Sequence, residues 1–173
     1  GEKRMHDIIN KHGIETMKRS IVDIFTQSEI LDREMISSIP DGVYRADGYL
    51  DNDGVTDEPV YVKVKVTVKG ESLTIDLTGS SEQRRGMTNC GLAQTVSACR
   101  VAFKHLISPE APVTGGNFKT MDIIVPEKTI FSAQEPAACG WYFTALGLLI
   151  DLTIKALSPV LKEQSAAAHY GDS

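Results

Sequence analysis

An α+β fold is the class this sequence predicts, and three features carry the prediction. A strict alternation of valines with polar residues marks a half-buried strand. Two stretches with apolar residues at steps of three and four mark amphipathic helices, and an apolar run from Ala137 to Ile150 marks a buried one. Together they describe an antiparallel β-meander packed with long helices. The 173 residues amount to about one domain, 42% of them aliphatic, aromatic or Cys and 24% charged, which is a globular mixture. The chain divides into a helical part over 1–39 and an α+β part over 40–173.

Taken in order, Ile8 and Ile9 begin a short helix that Gly13 stops in a left-handed conformation. Ile14, Met17, Ile21, Ile24, Ser28, Leu31 and Met35 then form the stripe of a helix running to about Ser38, with Pro40 forbidding its continuation. So narrow a stripe needs another surface to lie on. Gly42 to Leu50 reads as a strand, closed by the turn Asp51-Asn52-Asp53-Gly54. Val60, Val62, Val64, Val66 and Val68 alternate with Tyr61, Lys63, Lys65, Thr67 and Lys69, one face buried and one wet. Gly70-Glu71 turns the chain into a third strand with Leu73, Ile75 and Leu77 on its apolar face. A helix follows from Gly91 to Ile107 with Leu92, Val96, Cys99, Phe103 and Leu106 or Ile107 inward, and Pro109 and Pro112 end it. A strand over Thr120–Val125, an irregular piece between Pro126 and Pro136, and a core helix from Trp141 to Leu157 complete the series. Both ends fall in mid-pattern, so the chain is expected to be a segment of a larger subunit.

Several function classes drop out. A net charge of −5, from 18 basic and 23 acidic residues, supplies no basic patch for nucleic acid. Three cysteines, Cys90, Cys99 and Cys139, without a CxxC pair argue against a disulfide scaffold or a cysteine zinc site. The N-terminus has no apolar stretch behind its charges, and the run ending at Asp151 is too short to cross a bilayer; a cytoplasmic location without membrane contact is expected.

Among chemical candidates, the acidic turn lacks the EF-hand ligands, since Tyr49 and Val60 stand where acids are required. A metal site within this chain is therefore not expected. His169 with Asp172 is the only His/Asp pair in a loop context. The best candidate surface is the loop Gly79-Ser80-Ser81 with Arg84, Arg85, Asn89 and Cys90 behind it. Small residues at a strand end expose backbone N–H groups, and two arginines suit a carboxylate or phosphate. The plainer alternative is a turn with solvated arginines and Asn89 capping the next helix. Cys90, at a helix start, is a candidate nucleophile because the dipole there lowers a thiol pKa; the alternative, with no histidine assignable to it, is a small buried hydrophobe. Trp141-Tyr142-Phe143 reads as core by default and as a pocket lining by alternative.

Five blocks, in order, resemble the hydantoinase B/oxoprolinase family. They are Ile39-Pro40-Asp41-Gly42-Val43-Tyr44, Tyr49-Leu50-Asp51-Asn52-Asp53-Gly54-Val55, Asp76-Leu77-Thr78-Gly79-Ser80-Ser81, Asn89-Cys90-Gly91-Leu92-Ala93, and Pro112-Val113 with Gly116-Asn117-Phe118. The resemblance implies an internal segment of a B-type subunit of an ATP-dependent enzyme. That enzyme opens cyclic amides such as 5-oxoproline or hydantoin, or, in a second branch, carboxylates acetone or acetophenone. It implies a hetero-oligomer in which an A-type partner carries ATP and Mg. Metal ligands of B-type subunits sit upstream of these blocks in a His-x-x-Asp arrangement, so none is carried over to this chain. The resemblance points to Gly79, Ser80, Ser81, Arg84, Arg85, Asn89, Cys90 and Trp141 as residues near a small-molecule substrate or a subunit interface. One departure stands out: where ring-opening members carry a polar Gly-Gly-Asn turn and Glu-Thr-Ser, this chain has Cys139-Gly140-Trp141-Tyr142-Phe143-Thr144-Ala145. Aromatic groups there suit a less polar substrate, as in the carboxylase branch. The remaining expectation is a purely structural interface segment.

Overall fold

In a computed structural model, residues 1–166 are described, and they form the expected α+β fold. Helices α1 (Glu2–His12) and α2 (Ile14–Ser37) are separated by Gly13, whose φ is 84°. Strands β1 (Gly42–Leu50), β2 (Val60–Lys69) and β3 (Ser72–Asp76) follow, then α3 (Leu92–Ile107), β4 (Met121–Ile124) and α4 (Tyr142–Leu157). No helix among the described residues is long and apolar enough to cross a membrane.

The first three strands are the antiparallel meander, with Gly42 opposite Val68 and Leu50 opposite Val60 along the first pair. Val60, Val62, Val64, Val66 and Val68 are all buried, each burial worth roughly 1.5 kcal/mol or more. α4 packs on β1 and β2, and α3 packs on α4. The sheet also gains a member: β4 pairs parallel to β3, Leu73 opposite Met121 and Asp76 opposite Ile124. The sheet is therefore four-stranded and mixed, in the order β1-β2-β3-β4. A parallel neighbour needs a crossover, and the chain through α3 provides it.

Two inward assignments are corrected. Leu92 is exposed and Val96 only partly buried; the inward face of α3 is Thr95, Ala98, Cys99, Ala102, Phe103, Leu106 and Ile107. Small residues at 98 and 102 let α3 approach its neighbours closely, which a count of large apolar residues does not detect. On α2, Ile14, Ile21, Ile24 and Leu31 are exposed, and the buried residues are Asp32 and Ile36. The periodicity is that of a helix, but this chain covers only its C-terminal end.

That end is held by polar groups. Asp32 accepts hydrogen bonds from Ser108 Oγ (2.8 Å) and from Asn117 Nδ2 (3.2 and 3.1 Å). Lys104 Nζ donates to Ser108 Oγ at 2.9 Å. Burial raises the Asp32 pKa, against the lowering by these two partners and by the Lys104 charge.

Candidate functional site

The loop after β3 is built to continue the sheet. β3 stops at Asp76, leaving the backbone of Tyr61 and Lys63 beyond its end. Ser80 Oγ accepts from the Lys63 N–H (3.0 Å) and lies 3.2 Å from its carbonyl, while Ser81 Oγ accepts from the Tyr61 N–H (2.9 Å). The two hydroxyls thus stand in for strand partners. Gly79, at φ 92°, makes the preceding turn.

Farther on, the loop is clasped from two sides. Asp53 is only 3% exposed; its Oδ1 accepts from Val55 N, Thr56 N and Thr56 Oγ1, and its Oδ2 from Gly86 N at 2.9 Å. Burial raises the Asp53 pKa, but these donors outweigh it and hold the carboxyl well below the usual range. A Cβ at Gly86 would lie 1.8 Å from the Asp53 carbonyl oxygen, so only glycine fits there. From the other side, the fully buried Asn89 accepts from Arg84 N (2.6 Å), and its Nδ2 lies within 2.9 Å of the Arg84, Gly86 and Ala138 carbonyls. Asn89 is therefore not the cap of α3. Gly91 occupies that place, its N–H bonded to Gln94 Oε1 at 2.8 Å.

The other predicted residues fall in distinct environments. Arg84 reaches Glu58 Oε2 (3.1 Å) and the Pro59 carbonyl (2.7 Å), so its guanidinium braces the β1–β2 connection. The Arg85 side chain is exposed. Cys90 is fully buried in the core, and burial pushes its thiol up to about 12. That corrects the nucleophile reading: desolvation exceeds any effect of the helix start. Trp141, Tyr142 and Phe143 are 44%, 37% and 39% exposed, which corrects their default reading as core. The Trp141 and Phe143 rings pack in a tilted pair, centroids 4.8 Å apart and planes at 46°. His169 and Asp172, which themselves have His-x-x-Asp spacing, lie outside the described residues.

These ties shape one groove. The Trp141 N–H donates to the Met87 carbonyl at 2.7 Å, which sets the start of α4 beside the clasped loop and the acidic turn. Between them lies a cavity of about 460 Å³ lined by Leu50, Asn52, Asp53, Gly54, Val55, Met87, Thr88, Trp141 and Thr144. This volume is within the range of small-molecule sites, roughly 300–1,000 Å³. Of the eight residues singled out in the sequence, only Trp141 lines it. Thr88 and Met87 were missed because they bear no chemical signature; their neighbour Asn89 does, and it turns out to hold them in place. Thr88 is 8% exposed, and its hydroxyl has no partner among the described residues.

An α+β fold with a cavity of small-molecule size at the start of its last long helix is the class these features define. Residues 1–173 match the model of the hydantoinase B/oxoprolinase family, and the chain belongs to that family. It is 30% identical over 178 residues to the B-type chain of the "Putative D-/L-hydantoinase" of Pseudomonas sp. (strain NS671), an overlap of 96% of this chain and 30% of that protein. Identity to the caprolactamase beta chain of Pseudomonas jessenii is 20%, over 97% of this chain and 29% of the relative. The chain thus spans less than a third of these curated relatives. Two solved structures share the fold. The ATP-dependent caprolactamase from Pseudomonas jessenii superposes with a TM-score of 0.84 at 18% identity, over 94% of this chain and 28% of that one. Nucleotide-free acetone carboxylase does so with 0.87 at 16%, over 99% and 25%.

Proposed function

We propose that this chain is part of the B-type subunit of an ATP-dependent enzyme that opens cyclic amides, such as hydantoin or 5-oxoproline, in a hetero-oligomer with an ATP-using A-type subunit. The observation that carries the reading is the family match along the whole chain, with a B-type hydantoinase chain among its relatives. The groove beside Trp141 is where this segment meets the ring, its apolar walls holding the methylenes. The groove does not fit a nucleotide. It is lined by no lysine or arginine, and the carboxylate of Asp53 is already committed to backbone donors. ATP and Mg are accordingly assigned to the partner, and any metal ion to regions outside this segment. The loop residues Gly79, Ser80, Ser81, Arg84, Asn89 and Cys90 act on the substrate only by positioning the groove, and Arg85 is left as the exposed cation for an anionic group of substrate or partner.

Copurification with the A-type subunit, followed by ADP release on addition of hydantoin or 5-oxoproline, tests the reading. ADP release unaffected by any cyclic amide would sink it. Ketone carboxylation is the second reading, favoured by the exposed aromatic groups at 141–143; it expects ADP or AMP release only when acetone or acetophenone and bicarbonate are both present. A segment serving solely as a subunit interface expects Trp141→Ala to leave turnover unchanged.

A further inference from the structure

A second cavity, of about 450 Å³, opens on the outer face of α3 and shares no lining residue with the groove beside Trp141. Arg100 and Lys104, one helical turn apart, stand in one row of that face, and Val101 and His105 in the next. Val113 and Phe118, from the chain after the helix, add apolar wall, and Val101 and Val113 are 55% and 65% exposed. In a protein of net charge −5, no aspartate or glutamate is among the described lining residues. The three basic groups are not equally free. Lys104 and His105 lie in the last turn of α3, where the helix dipole favours a cation. Both are engaged: Lys104 Nζ donates to Ser108 Oγ, and His105 Nε2 lies 3.0 Å from the Gln164 carbonyl oxygen. Arg100 comes a turn earlier and has no hydrogen-bond or ion-pair partner among the described residues. By contrast, Arg33, Lys65, Arg84 and Lys119 all pair with carboxylates. The Arg100 guanidinium carbon lies 4.8 Å from the centre of the Phe118 ring, which itself packs on the buried Phe103. Stacked in this way, a guanidinium is held in place with its N–H edge open.

We propose that this cavity is a second ligand site, for a small organic monocarboxylate with an apolar body. The fork of Arg100 takes the carboxylate through two parallel N–H···O bonds, and Lys104 adds positive potential. The body covers Val101, Val113 and Phe118, apolar surface otherwise left to water. One unengaged cation matches one negative charge, whereas a phosphate dianion would want a second. The inference stands apart from the cyclic-amide reading, since no residue of the groove beside Trp141 enters it.

The test is isothermal titration calorimetry with benzoate on the intact subunit, alone and assembled with its A-type partner. Benzamide offers a similar body without the charge, and acetate the charge without the body. The expected result is saturable binding of benzoate in both preparations, with benzamide and acetate each at least tenfold weaker. Arg100→Gln should weaken benzoate at least tenfold and leave benzamide unchanged. Arg100→Lys should recover only part of that loss, because it keeps the charge and not the fork. Val113→Asp, a change at an exposed position, should weaken benzoate at least fivefold, and it keeps the test open if the Arg100 variants fail to fold. Lys69→Gln, which removes an exposed cation from β2, should change nothing. Acetate or benzamide binding as tightly as benzoate, wild-type affinity in a folded Arg100→Gln or Val113→Asp variant, or no saturable heat with benzoate overturns the inference. Binding to the subunit alone that disappears in the assembly means that a protein surface covers the cavity, and the small-molecule claim then falls.

Discussion

Asp53 shows how one carboxylate organises a site without touching chemistry. Three backbone N–H groups and one hydroxyl converge on it, joining the β1–β2 turn to the loop that carries Met87 and Thr88. Asp53→Ala leaves those donors short of an acceptor and should cost roughly 2–3 kcal/mol, read as a lower denaturation midpoint. Because its folded pKa is depressed, the stability it contributes is complete above the unfolded value of about 4 and is lost as pH falls below it. Melting temperature should therefore drop on acidification below about pH 4, and less steeply in Asp53→Asn. Asp32 has the opposite sign. Burial raises its folded pKa, so it destabilises the fold as pH rises from about 4 through that folded value. Asp32→Asn keeps an acceptor for Ser108 and should flatten that decline; a steeper decline in the variant would contradict the assignment.

Among the elements, α2 is held by polar and steric detail at its C-terminal half. Glu29 pairs with Arg33 (2.8 Å) and Lys119 (3.0 Å), although both partners are solvated enough for these pairs to contribute little. The close fit lies one helical turn earlier. A Cβ at Gly116 would fall 2.0 Å from the Phe25 carbonyl oxygen, so Gly116→Ala must push the helix away from the Asn117–Thr120 turn. A thermal shift of several degrees downward is expected, with the Asp32–Asn117 bonds the first to go. By contrast, the register of β1, β2 and β3 is over-determined by the buried valines. Shifting it by one residue would turn all five to water.

At the scale of the molecule, the core lies between the sheet and the α3/α4 layer, and α1 stands outside it. No residue of α1 is buried. Deleting residues 1–12 should therefore change the unfolding free energy by less than about 1 kcal/mol in a urea titration; a loss of several would place α1 in the cooperative unit. The exposed isoleucines of α2 belong to the same outer region. Their stripe is a sequence property that remains uncovered over most of its length.

The sequence by itself determined the element order, the strand boundaries of β1 and β2 and the family, because period and turn chemistry are local and the family blocks are contiguous. It also put Trp141 among the candidates. It did not reveal the parallel β4 pairing, the outward turn of Leu92 or the depth of Cys90, since each depends on what packs opposite. The groove itself is a tertiary product. Asp53, Asn89 and the Met87 carbonyl bring segments some 30 to 50 residues apart together through hydrogen bonds that no spacing along the chain encodes. Only the fold decided that Asn89, with its chemical signature, is scaffold, while Thr88, with none, lines the groove and buries a hydroxyl without a partner among the described residues.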